Sequence, residues 1–177
     1  MAGALCGQLH LREPGRRHAA LVQHESINHS DKEGEGDHMK ILVGYDGTKA
    51  AREALNRGME QAEAFGAAVH ILTSLKGDEG RAGDDAQVEK IKNAERGLKD
   101  AAASCEKRGL ACETHLLVRG LEPGEDLVRY AEENGVDQIV VGVHRRSKVG
   151  KMIFGSAAQY VIINAACPVV AVKRSEG

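Results

Sequence analysis

The 177-residue sequence predicts an α/β domain built on an open, mostly parallel five-stranded sheet with helices on both faces. Three observations support this fold class. From residue 39 onward, short apolar segments alternate five times with stretches of helical periodicity. The segments are continuously apolar, which is typical of parallel strands that are covered on both faces. Glycines follow several of them, where a buried strand has to turn into a loop.

Each element of the first half has its own signal. The first strand is the apolar run 41–43, which ends at a glycine-containing loop, 44–48. The first helix has apolar residues at spacings of four, three, four and three, and Gly66 ends it. The apolar face consists of Ala51, Leu55, Gly58, Ala62 and Phe65. The second strand, 69–75, precedes a loop rich in glycine and aspartate, 76–85.

The second half repeats the alternation of helix and strand. Pro123 suits the first turn of a helix, and Gly135 suits its end. The predicted elements are a long helix with an apolar stripe over 88–105, a strand at 112–118, a helix at 122–134, a strand at 138–141, a helix that opens at Gly155-Ser156 and a strand at 168–172.

Residues 1–38 differ from the rest and are expected to be a disordered N-terminal extension of the domain at 39–177. Their apolar residues are too sparse for a strand or a helix face and cannot offset the entropy of ordering. No apolar stretch of a signal peptide is present. The segment is rich in histidine, but its irregular spacing does not indicate a metal site. Purine-rich codons for 32–37 suggest a translated ribosome-binding site and a start at Met39.

Charge and composition exclude several functional classes. With 24 Lys+Arg against 26 Asp+Glu, the chain is too balanced for general binding to nucleic acids or membrane surfaces. Three Tyr, two Phe and no Trp supply few stacking platforms for bases. No apolar run is long enough to span a membrane. Four widely separated cysteines indicate neither a disulfide framework nor a zinc site, and they favour a reducing, cytoplasmic location.

The loops after the first and fourth strands are the candidate functional site. In parallel α/β sheets, ligands bind beyond the carboxyl ends of the strands, where the strand order reverses. In the first of these loops, Asp46 could accept hydrogen bonds from ribose hydroxyls or help to hold a divalent cation. The alternative is structural, because Asp46 or Thr48 could cap the helix that follows.

The second loop runs from Gly142 to Ser156 and favours a bound anion. Gly155-Ser156 places backbone N–H groups and a hydroxyl at a helix start, where the helix dipole attracts negative charge. The loop therefore predicts phosphate binding, and the alternative is a solvated basic loop. It contains four cations within seven positions, Arg145, Arg146, Lys148 and Lys151.

These two loops resemble those of the universal stress protein family. The segments 142–156 and 167–172 are similar to that family's C-terminal signature, and 39–48 is similar to its opening strand and loop. The similarity extends over 39–177. The resemblance implies a Rossmann-like sheet of the adenine nucleotide alpha-hydrolase type, with strand order 3-2-1-4-5. It also implies a homodimer joined through the last strand, 168–173.

The resemblance further implies a site for ATP or another adenine nucleotide, with Mg²⁺ as a companion cation. Nucleotide-binding members carry a glycine, two residues, a second glycine, nine residues, and then a glycine with serine or threonine. Here Gly142 is the first glycine and Gly155-Ser156 is the closing pair. By this resemblance the site residues are Asp46 near the nucleoside, Ser74 with its backbone at the base, Val141 lining the pocket, Gly142, Gly155, Ser156 and Ala157 at the ribose and phosphates, and Arg145 and Arg146 in the loop.

Arg145 departs from the family pattern, because it stands where the second glycine is expected. Glycine lets the backbone approach a ligand closely, whereas arginine offers five donors suited to phosphate. Two functions therefore remain open. One is a cytoplasmic stress protein that binds an adenine nucleotide and hydrolyses it slowly at most. The other is a dimeric interaction module that has lost nucleotide binding through Arg145.

Enzyme classes with a similar fold lack their required residues here. A phosphoacceptor receiver domain needs an aspartate at the end of the third strand, where this chain has Val118-Arg119-Gly120. A phosphate-binding NTPase loop needs serine or threonine after its lysine, where Met152 follows Lys151. No nucleophile with an adjacent base is visible, since His70 and His115 lie within strands and are expected to be buried. An adenylating enzyme, which can share this kind of nucleotide-binding sheet, is the enzyme class that stays open. The chain is predicted to be a binding protein with slow hydrolysis at most, and not an enzyme.

Overall fold

The structure, a computed structural model, describes residues 21–22, 38–77, 85–143 and 155–173. Strands and helices alternate from residue 40 onward in the predicted order. The elements are β1 (Leu21–Val22), β2 (Lys40–Gly44), α1 (Lys49–Phe65), β3 (Ala68–Lys76), α2 (Asp85–Glu106), β4 (Cys112–Arg119), α3 (Pro123–Glu133), β5 (Gln138–Val143), α4 (Ser156–Asn164) and β6 (Val169–Lys173).

The strands form one sheet in the order β1-β4-β3-β2-β5-β6. All pairs are parallel except β1 with β4. Without β1, the order is the predicted 3-2-1-4-5, so the predicted fold class is confirmed. β2 lies at the centre, where Val43 is in register with Ile71 of β3 and with Val140 of β5. The strand order therefore reverses between β2 and β5, at the loops that the sequence singled out.

The two-residue strand β1 was not expected, because residues 1–38 showed no strand pattern. Its residues pair antiparallel with the outer edge of β4, Leu21 with Leu117 and Val22 with Leu116. A two-residue strand is too short to show periodicity, and the free backbone groups of the β4 edge supply its pairing. The prediction that these residues form no strand is thus wrong for 21–22.

Two hydrophobic layers cover the sheet. In β2, Ile41 and Val43 face the layer that contains α1 and α2, whereas Leu42 faces the layer that contains α3 and α4. All three side chains are fully buried. Burial of each such side chain contributes about 1.5–3 kcal/mol, so the central strands stabilise the fold from both faces.

Two residues expected on buried helix faces are exposed instead. Phe65, the last residue of α1, is 60% exposed, because Gly66 adopts a left-handed φ of 65° and turns the chain away. Val88 in α2 is 42% exposed, since the first buried residue of that helix is Leu98. The amino-terminal half of α2 borders an open cavity, and only its partly buried Ile91 and Ala94 pack against the core among the described residues.

Capping residues determine where two of the helices begin. The Thr48 hydroxyl accepts a hydrogen bond from the Ala51 N–H at the start of α1. At α3, Glu122 and Glu125 form a reciprocal capping box, and Pro123 occupies the first turn as predicted. Within the part of the chain that the structure describes, none of the helices has both the length and the apolar character needed to cross a bilayer.

Candidate functional site

An open cavity of about 820 Å³ lies at the carboxyl ends of β2 and β3, beneath α1 and α2. The loop after β2 forms one wall, the end of β3 forms the floor, and α2 forms the opposite wall. Two of the predicted site residues, Asp46 and Ser74, line it. The volume lies within the range of small-molecule pockets, roughly 300–1,000 Å³.

Asp46 organises the loop that leads into α1. Its Oδ1 accepts hydrogen bonds from the Thr48 N–H at 3.0 Å and from the Thr48 hydroxyl at 2.6 Å. Thr48 is the N-cap of α1, and Asp46 holds Thr48 in place. Of the two residues that the sequence offered as helix caps, Thr48 is therefore the one that caps the helix. The side chain of Asp46 is exposed, and Oδ2 has no hydrogen-bond partner among the described residues. One carboxylate oxygen is therefore free to accept from a ligand.

Hydrogen bonds from β3 fix the position of this loop. The Tyr45 N–H donates to the Leu72 carbonyl at 2.9 Å, and the buried Thr73 hydroxyl donates to the Tyr45 carbonyl at 2.6 Å. Both backbone groups of Tyr45 are thus held by the neighbouring strand. The carboxylate of Asp46, one residue further on, is presented by a rigid support, which lowers the entropic cost of binding.

The side chain of Ser74 is engaged on the other face of the sheet. Its hydroxyl donates to Asp126 Oδ2 at 2.5 Å, and Asp126 is completely buried in the first turns of α3. Arg119 Nε lies 2.8 Å from Asp126 Oδ1, as an ion pair whose N–H is not aligned for a hydrogen bond. The side chains join the carboxyl ends of β3 and β4 to α3, which leaves only the backbone of Ser74 to serve a ligand.

Val141 and Gly142 lie in β5, next to the end of β2. Val141 is buried and is in register with Gly44. A Cβ on Gly142 would lie 2.5 Å from the carbonyl carbon and oxygen of Ala50 in α1. Glycine at this position is required by the close approach of α1 to β5, whatever else it does for a ligand.

The closing pair of the motif opens α4, as predicted. Gly155 is the N-cap with φ −60° and ψ 152°, a conformation open to any residue, and a Cβ there would meet nothing within 4 Å. Ser156 is the exposed first residue of the helix. Ala157 packs against α3, where its backbone carbonyl would lie 2.9 Å from a Cβ on Gly124. This contact holds the start of α4 against α3.

The predicted site residues are not all gathered in one cavity. Asp46 and Ser74 line it, whereas the predicted residues of β5 and α4 are not among its described lining. The cations of the second loop, including Arg145 and Arg146, lie outside the described residues.

The sequence analysis missed the wall contributed by α2. Polar residues of that helix line the cavity at spacings of three and four, Lys90, Asn93, Arg96, Asp100 and Ser104. The sequence shows these residues on the face of the helix opposite its apolar stripe. Because the polar face of an amphipathic helix ordinarily points to solvent, that pattern did not indicate a cavity wall. Arg52 of α1 lines the same cavity. The lining thus combines three cations, Arg52, Lys90 and Arg96, with two carboxylates, Asp46 and Asp100. Such a lining suits a ligand with both hydroxyl donors and anionic groups.

A second polar cluster lies at the amino-terminal half of β3 and β4. It comprises His70, Glu113 and His115 and is called the His–Glu–His cluster below. His70 is buried as expected, while the side chain of His115 is 23% exposed. Burial lowers the pKa of His70, reinforced by His115 and Lys40 and opposed by Glu113. Burial likewise lowers the pKa of His115 against the pull of Glu113.

Comparison with known proteins agrees with this architecture. The sequence model described as the universal stress protein family matches residues 38–173. A universal stress protein of Thermus aquaticus is 31% identical over 134 residues, which cover 75% of this chain and 97% of that protein.

Two solved structures from Archaeoglobus fulgidus are also similar. One universal stress protein is 38% identical, with a TM-score of 0.66 and coverage of 77% of this chain and 99% of that one. Another, solved in complex with dAMP, is 35% identical, with a TM-score of 0.61 and coverage of 77% and 98%. Since the family match spans most of the sequence and all of β2 to β6, the chain belongs to the universal stress protein family.

Proposed function

We propose that this protein binds ATP or another adenine nucleotide, with Mg²⁺ as companion cation, and acts as a cytoplasmic stress-response binding protein. The observation that carries the proposal is the cavity at the carboxyl ends of β2 and β3, with the free carboxylate oxygen of Asp46 at its wall. Ribose presents hydroxyl donors, and a carboxylate accepts them through charge-assisted hydrogen bonds. The nucleoside end of the ligand occupies this cavity.

A relative with bound nucleotide supports the choice of ligand. The Archaeoglobus fulgidus protein solved with dAMP is 35% identical to this chain and is covered over 98% of its length. The cations on the cavity walls, Arg52, Lys90 and Arg96, favour a ligand that carries negative charge. An adenine nucleotide combines the hydroxyl donors and the anionic groups that this lining matches.

The phosphates lie toward the amino terminus of α4. Gly155 has no side chain to cap the first turn, so backbone N–H groups there are available for an anion, and the helix dipole favours its charge. Arg145 and Arg146 precede this helix in the sequence and supply further donors. Hydrolysis is slow at most, since the described residues that open α4, Gly155, Ser156 and Ala157, include no carboxylate, imidazole or amine to activate water.

The proposal is tested by calorimetric titration of the purified full-length chain with ATP, ADP and AMP, with and without Mg²⁺. The variant Asp46→Asn keeps an acceptor for Thr48 but removes the charge. We expect its affinity for ATP to fall by about 10- to 100-fold, the effect of losing hydrogen bonds to a charged group. Glu132→Gln, an exposed carboxylate of α3 outside the cavity, is the matched control and leaves the affinity unchanged. Equal affinities for wild type and Asp46→Asn would contradict the assignment.

The second candidate is an interaction module that does not bind nucleotides, and the observation that favours it is Arg145 in place of the motif glycine. The variant Arg145→Gly distinguishes the two functions. If Arg145 blocks the site, wild type gives no heat at millimolar ATP and the variant gains binding. If Arg145 clamps a phosphate, wild type binds and the variant binds more weakly.

We further propose that the protein is a homodimer joined through residues 168–173. β6 is the outer strand on its side of the sheet and pairs only with β5 among the described strands. An edge strand with unpaired backbone groups is a template for a second copy. Ala171 is exposed on this strand, and Ile162 and Ile163 are exposed at the end of the preceding helix, 41% and 69% respectively. Pairing of two such edges covers this apolar surface.

A further inference from the structure

The His–Glu–His cluster lies apart from the proposed nucleotide site. His70 is the third residue of β3, and Glu113 and His115 are the second and fourth residues of β4. These positions are at the amino-terminal halves of the strands, whereas the cavity lies at their carboxyl ends. None of the three residues lines that cavity. Nothing in the proposed function uses this cluster.

The strand register brings the three side chains to one face. His70 is in register with Glu113, and Leu72 with His115, so both residues of β4 point to the same side of the sheet as His70. This is the face covered by α3, which contributes Tyr130. The two imidazole rings are stacked, with centroids 5.8 Å apart and planes 10° from parallel. Their side chains therefore approach one point from adjacent strands.

Two of the three pairs of ligand atoms lie near the separation found around a zinc ion, and the third pair, the two imidazole nitrogens, lies within 4.8 Å. Glu113 Oε2 lies 3.5 Å from His115 Nε2 and 3.8 Å from His70 Nδ1. All three atoms lie within 4.8 Å of one another. Zinc bonds of 2.0–2.1 Å in tetrahedral geometry separate neighbouring ligand atoms by about 3.4 Å. Two of the observed separations are within half an ångström of that value.

The hydroxyl of Tyr130 marks the point of convergence. It lies 2.9 Å from His70 Nδ1 and 2.7 Å from His115 Nε2. Both ring nitrogens thus aim at one oxygen atom. A hydroxyl has a single proton and cannot donate to both, so one imidazole donates and the other accepts. A cation bound among these nitrogens would take Tyr130 or a water molecule as its fourth neighbour.

We propose that His70, His115 and Glu113 form a binding site for a divalent transition metal of the zinc class. Two imidazole nitrogens and one carboxylate oxygen are a donor set typical of zinc, and imidazole favours such metals over Mg²⁺ and Ca²⁺, which take oxygen ligands. The site tethers β3 to β4 and stabilises the folded chain, since the metal binds the folded state preferentially.

The test uses the full-length chain, stripped of metal with EDTA and dialysed, and titrated with Zn²⁺ by calorimetry and with Co²⁺ by visible absorption. Wild type is compared with His115→Gln and Glu113→Gln. We expect each variant to bind one Zn²⁺ ion, the one held by the His–Glu–His cluster, at least about 100-fold more weakly than wild type. We also expect wild type, and neither of these two variants, to show the intense visible bands of four-coordinate Co²⁺ and a rise in Tm with Zn²⁺.

His38→Gln is the matched control, because His38 is exposed and lies outside the cluster. The other histidines of residues 1–38 are present in every variant, so their background binding cancels. Glu113 has a side chain that is 66% exposed, so Glu113→Gln tests the site even if His115→Gln does not fold. The proposal is overturned if wild type, Glu113→Gln and His38→Gln bind equal amounts of Zn²⁺ with equal affinity. Nucleotide affinity does not enter this readout, so failure here leaves the proposed function intact.

Discussion

Replacing Gly142 with alanine should destabilise the folded chain, independently of any ligand. The added Cβ would lie 2.5 Å from the carbonyl carbon and oxygen of Ala50 and 2.8 Å from the N–H nitrogen of Ala51. All three are backbone atoms in the first turn of α1, so no side chain can rotate to make room. Relief requires α1 to move away from β5, and that movement loosens the packing of Val43 and Val140 beneath the helix.

The expected cost follows from these distances. Overpacking in a well-packed core costs about 1–3 kcal/mol, and contact with backbone places this site near the upper end. Replacing glycine also restricts the unfolded chain, which returns about 0.4–1 kcal/mol. The net loss is therefore about 2 kcal/mol, or a decrease in Tm of roughly 4–8 °C for a chain of this size.

Urea unfolding of the nucleotide-free protein, followed by far-UV circular dichroism because the chain contains no Trp, measures this loss. Gly155→Ala is the matched control, since it changes the closing glycine of the same motif, where a Cβ meets nothing within 4 Å. We expect its free energy of unfolding to stay within about 0.5 kcal/mol of wild type. If Gly142→Ala were equally stable and lost only nucleotide affinity, the steric argument would be refuted and the glycine would serve the ligand alone.

Three further predictions concern other parts of the molecule. Arg119→Met leaves the fully buried carboxylate of Asp126 with the hydroxyl of Ser74 as its one partner among the described residues. We expect the free energy of unfolding, measured in urea, to fall by about 3 kcal/mol. Arg129→Met, which changes an exposed arginine of α3, is the control and should stay near wild type. In EDTA, the lowered pKa values of the two imidazoles of the His–Glu–His cluster mean that the unfolded chain binds their protons more readily. The free energy of unfolding is therefore highest above about pH 6.5 and decreases as the pH falls below that value, by up to about 1.4 kcal/mol per pH unit for each imidazole. Urea unfolding at a series of pH values measures this slope. Replacing both His70 and His115 with glutamine should remove it. Ala171→Pro at the outer edge of the sheet should convert the proposed dimer to a monomer with unchanged far-UV dichroism, and an unchanged mass by light scattering would contradict the interface.

Local patterns were sufficient to predict the fold. Gly66 ended α1 and Pro123 opened α3 at the predicted positions, because a left-handed C-cap and a proline in the first turn depend on one or two residues only. Apolar runs located β2 to β6 for the same reason. Strand β1 escaped prediction, since its pairing depends on the free edge of β4 and not on its own two residues.

The candidate site was predicted less completely. The sequence alone pointed to Asp46 and to the start of α4 at Gly155, because ligands of parallel sheets bind where strands end and helices begin. It did not indicate that the hydroxyl of Ser74 is bound to Asp126, nor that Lys90 and Arg96 of α2 line the cavity. These contacts join residues far apart in the chain, and nothing in the local pattern records which helix crosses which strand.

What the amino-acid sequence determined by itself is the order of strands and helices, the family and the loops at which a ligand is expected. Each of these depends on residues that are neighbours in the chain. The tertiary structure alone decided which polar groups meet. It placed His70 beside Glu113 and His115 through the register of β3 and β4, and it showed that Gly142 is needed for the approach of α1. Distances between side chains on different elements depend on strand register and helix packing, which a linear pattern does not encode.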